Sequence, residues 1–98
     1  MNSRQRAYLK GLAMVYEAIF NIGKQGITDE VIEAVKEALE AKELIKLSVL
    51  KNCTQDLKSI ADEIASCTRS DVVQVIGRKI ILYKQADEPK NRKIILPD

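Results

Sequence analysis

The residues best suited to chemistry are those of the segment Gly23-Lys24-Gln25-Gly26, called the glycine loop below. Glycine has no Cβ, so the backbone can adopt positive φ and approach a ligand closely. A helix beginning just after the loop would add unpaired N–H groups and a partial positive charge, and Lys24 adds a full one. This combination favours contact with a phosphate group. The same spacing also suits a simple strand-to-helix turn, and the pattern leaves both interpretations open.

The glycine loop differs from the loops that bind nucleotides. Gly-Lys is followed by Gln25 rather than Ser or Thr, and no glycine stands five positions before Gly23. A Gly-x-x-Gly loop that clamps the backbone of single-stranded nucleic acid occurs in KH domains. Aromatic stacking is not expected to dominate, because the chain has only three Tyr and one Phe. Each of these falls in an apolar run and is expected in the core.

Catalytic and metal-binding chemistry lack candidate residues. The chain has no histidine, and Cys53 and Cys67 do not form a CxxC pair, so neither zinc spacing nor a redox dithiol is assembled. The neighbouring carboxylates of Asp62 and Glu63 would diverge by about 100° on a helix. We therefore expect no enzyme activity, no cofactor, no metal ion and no small-molecule substrate.

Charge is distributed unevenly along the chain. Sixteen Lys and Arg against fourteen Asp and Glu give a net charge of +2, which by itself does not indicate a nucleic-acid binder. Residues 1–27 and 69–84 are basic, whereas residues 28–43 carry six acids and two lysines. Folding could separate these blocks into a basic face and an acidic helix, as in proteins that orient on a polyanion. An ordinary mixed surface fits the charges equally well.

Apolar residues at three- and four-residue spacing predict three helices. The first covers residues 4–16 with Ser3 as its N-cap, and the second follows Thr28. The third is capped by Thr54 and ends near Cys67. The acids Glu33, Glu37 and Glu40 fall opposite the apolar stripe of the second helix and are expected in solvent.

Four β-prone runs predict four strands. They cover residues 18–22, 44–50, 72–76 and 79–84. The second alternates apolar and polar residues, so we expect one of its faces to be buried. Gly77 and Arg78 form a two-residue hairpin connection between the last two. The order α-β-α-β-α-β-β indicates an α/β fold, with helices packed on a mixed four-stranded sheet.

The length of 98 residues and the 46% content of hydrophobic residues predict a single domain over 1–98. Its core is expected over residues 3–84, followed by a tail over 85–98. Residues 85–93 are polar and expected to be loose, while Ile94 to Leu96 either add an edge strand or dock on the surface. The sequence contains no signal peptide and no apolar run long enough to cross a membrane, so we expect a cytoplasmic protein with reduced thiols.

Four segments together resemble the successive signatures of one family. They are residues 5–13 (QRAYLKGLA), 22–28 (IGKQGIT), 38–46 (ALEAKELIK) and 73–83 (VQVIGRKIILY). In this order they are similar to the CRM domain, named for chloroplast RNA splicing and ribosome maturation, whose small stand-alone bacterial members are called YhbY-like. The resemblance covers nearly all of residues 3–84. It implies an RNA-binding protein with a fold similar to the C-terminal domain of bacterial translation initiation factor three.

The resemblance also implies a partner and a site. Bacterial members are associated with precursors of the large ribosomal subunit, so the implied partner is large-subunit ribosomal RNA or a pre-ribosomal particle. The sequence departs from the family where members often have His before Glu-Leu-Ile-Lys, here Lys42, and Pro before the first strand, here Ala18. The implied RNA-binding residues are Gly23, Lys24, Gln25, Gly26, Arg4, Arg6, Lys10, Lys46, Arg78 and Lys79.

A second class of function stays open at this stage, that of a protein-protein interaction module. In this alternative the acidic second helix docks on a basic partner, such as a ribosomal or assembly protein. Its three glutamates, Glu33, Glu37 and Glu40, would supply the contacts. Exposed acidic helix faces usually contact only solvent, so the charge pattern does not require such a role.

Overall fold

Four strands form one sheet, and helices cover both of its faces. The computed structural model describes residues 1–98. The elements are α1 (Ser3–Ala13), β1 (Phe20–Ile22), α2 (Asp29–Lys42), β2 (Leu44–Val49), α3 (Leu57–Thr68), β3 (Asp71–Ile76), β4 (Lys79–Tyr83) and a short 3-10 helix (Pro89–Asn91). This is the predicted order, and the predicted fold class is confirmed. No helix combines the length and the apolar character that crossing a bilayer requires.

The strands lie in the order β1-β2-β4-β3. β1 pairs with β2 in parallel through the α2 crossover, whereas β4 is antiparallel to both β2 and β3. β1, β2 and β3 therefore run in one direction and end at the same edge of the sheet. The glycine loop, the segment after β2 and the hairpin turn at Gly77 and Arg78 all lie at this edge, called the loop edge below.

α1 begins one residue earlier than predicted and ends sooner. The Asn2 side chain accepts the Gln5 N–H at 2.8 Å, and the Gln5 side chain accepts the Asn2 N–H at 3.2 Å. This reciprocal pair satisfies two helix-end donors, so Asn2 is the N-cap rather than Ser3. The helix ends at Ala13, and the apolar residues that follow it belong to the connection to β1.

α2 begins after Thr28 as predicted, with the Thr28 hydroxyl accepting the Val31 N–H at 3.2 Å. α3 begins later than predicted, because Asp56 rather than Thr54 is its N-cap. The Asp56 carboxylate accepts both the N–H and the hydroxyl of Ser59 at 3.1 Å. A carboxylate also stabilises the positive end of the helix dipole, which a hydroxyl does less well.

The larger core lies between the sheet and the pair α2 and α3. It is built from aliphatic side chains of all these elements, including Val35, Leu39, Ile45, Leu47, Ile60, Ile64, Ile80 and Leu82. A smaller core lies on the opposite face of the sheet, beneath α1. It contains Leu9, Ala13, Leu44, Val73, Ile81 and Tyr83, with Leu12, Ile94 and Leu96 packed against it.

β2 is buried on both faces, so the expectation of a half-buried strand was wrong. Leu44 points into the smaller core, while Ile45 and Leu47 point into the larger one. α1 and the tail cover the face that the alternation assigned to solvent. The expectation that every aromatic residue lies in the core was also wrong, because Tyr8 is 43% exposed and Tyr16 is 38% exposed.

Two carboxylates hold the tail in place, that of Glu40 in the last turn of α2 and that of Glu43 directly after the helix. The fully buried Glu43 carboxylate accepts the N–H groups of Ala86, Lys93 and Ile94 at 2.7 to 2.9 Å. Glu40 accepts the N–H of Asp87 at 2.7 Å and further bonds from Glu88 and Asn91. The predictions of a loose segment 85–93 and a solvated Glu40 were therefore wrong. Of the two alternatives for Ile94 to Leu96, the structure shows docking, with Ile94 and Leu96 on the smaller core.

Candidate functional site

The glycine loop is a tight turn with a charged tip. The Gly26 N–H donates to the Gly23 carbonyl oxygen at 2.9 Å, and Gly26 has φ of 67°. Lys24 and Gln25 form the exposed tip, whereas Gly26 is buried. A Cβ on Gly26 would lie 2.9 Å from Oε1 of Gln55. Gly26 therefore serves the turn and its packing, and the side chains at the tip face outward.

Residues 50–55, called the floor segment, support the loop from beneath. The Leu50 N–H donates to the Ile22 carbonyl oxygen at 2.8 Å. A Cβ on Gly23 would lie 3.7 Å from both the Asn52 side-chain oxygen and a methyl group of Leu50. Lys51 and Asn52 are exposed there, so the floor segment adds a cation and an amide to the site. Sequence reasoning missed both residues, although they follow a strand whose end shares an edge with the loop.

Arg78 fastens the floor segment to the hairpin. Its Nε donates to the Val49 carbonyl oxygen at 2.8 Å, and its Nη2 donates to those of Leu50 and Cys53 at 2.8 and 3.4 Å. The planar guanidinium suits several acceptors at once, which a lysine ammonium matches less well. The predicted RNA-binding residue Arg78 thus lies beside the glycine loop, and its side chain holds the scaffold of the loop.

One row of side chains crosses all four strands near the loop edge. The strand registers align Asn21 with Ser48, Ser48 with Lys79, and Lys79 with Ile76. These four residues, called the open row, lie on the α1 face of the sheet, beyond the part that α1 covers. Lys79 Nζ donates to Ser48 Oγ at 3.0 Å, and Ile76 is 56% exposed. The open row thus presents a cation, the amide of Asn21 and one apolar side chain, whereas Ser48 is buried and accepts the Lys79 ammonium.

The remaining predicted residues lie away from the loop edge, some of them farther than others. Lys46 lies one row below Ser48 on the same face, and its Nζ donates to the Tyr16 carbonyl oxygen at 2.9 Å. Arg6 lies at the other end of β3 and donates to the carbonyl oxygens of Val72 and Val73. Arg4 shares the first turn of α1 with Arg6 and is exposed, and Lys10 is half-buried in the second half of α1.

Arg6 is placed by an irregularity in the sheet. The pairing of β3 with β4 shifts register between Val72 and Gln74, which leaves Val73 as an extra residue. Such a bulge frees backbone groups from the strand ladder, and buried carbonyl oxygens need a donor. Arg6 supplies that donor. Its position therefore reflects the bulge and does not extend the loop edge.

The helix end behind the glycine loop is less positive than its sequence position suggests. The Thr28 hydroxyl already accepts one of the free N–H groups of α2. Asp29 and Glu30 occupy the first turn, and their negative charges neutralise part of the positive end of the helix dipole. The positive charge at this edge therefore comes from side chains, namely Lys24, Lys51, Arg78 and Lys79.

Comparison with known proteins shows which sequences and folds this chain resembles. The family model of the CRS1 / YhbY (CRM) domain matches residues 1–84. The chain is 42% identical over 97 residues to "Probable RNA-binding protein YqeI" of Bacillus subtilis, covering 99% of each chain. It is 31% identical over 90 residues to an RNA-binding protein of Haemophilus influenzae, covering 92% of this chain and 91% of the other.

A solved structure is similar throughout the fold. The solution structure of the hypothetical protein SAV1595 of Staphylococcus aureus, a candidate RNA-binding protein, superimposes with a TM-score of 0.80. The two chains are 40% identical, with 99% of each covered. The match of a family model over most of the chain, with relatives that span its whole length, confirms the resemblance in the sequence. The chain belongs to the CRS1/YhbY (CRM) domain family.

Proposed function

We propose that this protein binds RNA without catalysing a reaction, and that the loop edge with the open row is its interface. The observation that carries the proposal is that the exposed tip of the glycine loop shares one edge of the sheet with Lys51 and Lys79. The relatives at 42% and 31% identity both carry RNA-binding names. Their coverage of 99% and 92% of this chain supports the transfer of that activity.

In this proposal the lysine ammonium groups contact phosphates, and the backbone scaffold keeps them in place. Lys24, Lys51 and Lys79 approach the RNA from the loop edge, while Asn21 and Ile76 offer polar and apolar contact to sugars and bases. Gln25 adds an amide at the tip. Arg78 acts as a positioning residue, because its bonds to the floor segment hold the loop from below.

The proposed partner is large-subunit ribosomal RNA or a pre-ribosomal particle, as the family resemblance implies. Binding of this kind draws its affinity from the release of counterions on phosphate contact. With about four to six contacts to single-stranded RNA, log K should fall against log salt with a slope of about −3 to −4. Both cysteines are free, which suits a reducing compartment, and we propose the cytoplasm as the place of action.

The alternative of an acidic docking helix has less support. The Glu40 carboxylate is engaged by the tail, and Glu33 lies 3.6 Å from Lys36 on the same helix. Of the three glutamates, two therefore already have partners within the chain. Contacts with ribosomal proteins are compatible with the proposal, but no side-chain cluster of α2 favours them.

The proposal is tested by the charge-reversal variant Lys24→Glu, with Lys90→Glu as the matched control. Both lysines are exposed, but Lys90 lies in the segment held by Glu40, at the end of α2 remote from the glycine loop. Binding to single-stranded RNA is measured over a range of salt concentrations. Lys24→Glu should weaken binding at least tenfold and reduce the salt slope by about 0.7 or more. Equal affinities of the two variants would contradict the proposed interface.

A further inference from the structure

A cleft opens at the start of β1, at the end of that strand remote from the glycine loop. Its volume is about 480 Å³, and its walls include Tyr16, Ile19, Lys42, Lys46 and Lys93. None of these except Lys46 belongs to the interface implied by the family resemblance. Only β1 separates the cleft from the glycine loop, a distance of about 10 Å at 3.3 Å per residue.

The floor of the cleft is the first part of β2, along the side where no strand pairs with it. β1 pairs only with Leu47, Ser48 and Val49, so no strand lies beside residues 44–46 on that side. The Glu43 carbonyl oxygen accepts the Lys84 N–H on the β4 side, and the Lys46 carbonyl oxygen accepts the Ile19 N–H on the β1 side. Backbone groups alternate along a strand, so the N–H and carbonyl of Leu44 point toward the cleft.

The walls combine an aromatic ring with positive charge. Tyr16 and Ile19 are 38% and 39% exposed and offer a planar ring and an aliphatic side chain. Lys46 is held against the Tyr16 carbonyl oxygen, and Lys93 Nζ donates to the Ala41 carbonyl oxygen at 2.9 Å. Lys42 is exposed at the rim. Three lysines but only one acid, Glu17, line the cleft, so its charge complements an anion.

We propose that this cleft binds one unpaired nucleotide of the RNA. The base stacks on Tyr16 and directs its hydrogen-bonding edge to the backbone of Leu44, and its phosphate lies near Lys42 and Lys93. Every base has an apolar face and a row of donors and acceptors, which match the ring and the open strand edge. This inference rests on the proposed function and adds a base-binding pocket to an interface that otherwise contacts backbone.

An extended peptide is the competing occupant, because unpaired strand edges can accept an added strand. The open edge covers only residues 44–46, since β1 pairs with β2 from Leu47 onward, and the Lys46 carbonyl oxygen is already bonded to Ile19. Such an edge supports few ladder hydrogen bonds. The three lysines around it favour an anionic ligand, and the exposed aromatic ring favours a planar one.

The test is an NMR titration of the full, ¹⁵N-labelled chain with each of the four nucleoside 5′-monophosphates. We expect shifts of the Ile19, Leu44 and Lys46 amides that saturate, and that inorganic phosphate alone does not reproduce. Tyr16→Ala should abolish them, whereas Tyr16→Phe should retain them because the ring is kept. In RNA binding, Tyr16→Ala should weaken affinity about tenfold or more.

Other outcomes separate failure of the cleft from failure of RNA binding as a whole. If wild type binds RNA but the monophosphates leave the cleft amides unmoved and Tyr16→Ala binds normally, the base pocket is wrong and the interface stands. If wild type binds no RNA, the proposed function itself fails. Shifts caused by an acidic peptide and not by nucleotides would overturn the pocket in favour of strand addition. If Tyr16→Ala fails to fold, Lys42→Glu replaces it, with the same loss of shifts expected.

Discussion

Arg78 and Val49 are joined twice at the loop edge. Arg78 Nε donates to the Val49 carbonyl oxygen at 2.8 Å, and the Arg78 carbonyl oxygen accepts the Val49 N–H at 2.8 Å. One residue of the hairpin therefore closes the end of β2 through both its side chain and its backbone. The floor segment begins directly after this closure, so the position of the glycine loop depends on Arg78.

Replacement of Arg78 by lysine should therefore reduce stability. A lysine keeps the charge but cannot direct two nitrogen donors to Val49 and Leu50 at once. We expect a loss of about 1–3 kcal/mol in the free energy of unfolding, measured by denaturant titration. Arg4→Lys is the control, because Arg4 is exposed and its replacement should leave stability unchanged. Equal stability of both variants would show that the Arg78 bonds contribute little.

The two glycines of the loop should respond differently to alanine. Gly26 has φ of 67°, where a Cβ costs about 1–2 kcal/mol, and the Gln55 side chain must also move. Gly23 does not have positive φ, and its nearest neighbours would lie 3.7 Å from a Cβ. Gly26→Ala should lower the melting temperature clearly, and Gly23→Ala should change it little. The reverse order would mean that the turn differs from the one described.

Glu43 should make stability depend on acid pH. Burial raises the pKa of its carboxyl, but hydrogen bonds from Lys93, Ala86 and Ile94 outweigh this and hold the pKa below its ordinary value. The resulting stabilisation is fully present above the pKa of the unfolded chain, and is lost as pH falls through the lower folded value. Denaturant titrations at several pH values below about 5 measure this loss.

Glu43→Gln is the variant that isolates this contribution. It keeps the shape of the side chain but replaces a charged acceptor of three N–H groups with a neutral amide. We expect a loss of about 2 kcal/mol at neutral pH and a flatter dependence on acid pH. Glu37→Gln on the exposed face of α2 is the control, with no change expected. If stability fell with acid pH as steeply in Glu43→Gln as in the wild type, the assignment would be contradicted. A smaller dependence on acid pH should remain in the variant, because bonds to Asn91 and Asp87 also lower the pKa of Glu40.

The proposed partner predicts a specific cross-linking result. A photoreactive residue in place of Gln25, at the exposed tip of the glycine loop, should cross-link in cells to RNA of the large ribosomal subunit or its precursors. Sequencing of the attached RNA gives the identity and the position. The same residue in place of Lys90 is the control and should recover little RNA. Recovery of unrelated transcripts from both positions would argue against a ribosomal partner.

Much of the fold follows from local pattern. The apolar stripe and the Thr28 cap define the start of α2, and the β-branched runs around Gly77 and Arg78 define the hairpin. These features depend on neighbours within a few residues, whose periodicity and turn chemistry are visible in the chain. The family signatures, taken in order, identified the fold and the class of partner that the comparisons then supported. The exposed cationic tip at Lys24 also follows from the chain, because a turn between a strand and a helix lies at the surface.

Tertiary structure alone decided what covers each face and which charged groups have partners. Alternation along β2 shows which side chains share a face, but not that α1 and the tail bury the face that carries Leu44. Arg6 and Arg78 look like free cations in the sequence, yet each binds carbonyl oxygens of residues far along the chain. Glu43 looks like one acid among six, yet its partners lie 43 to 51 residues later. Such pairings depend on which segments the folded chain brings together, and short-range patterns do not contain that information.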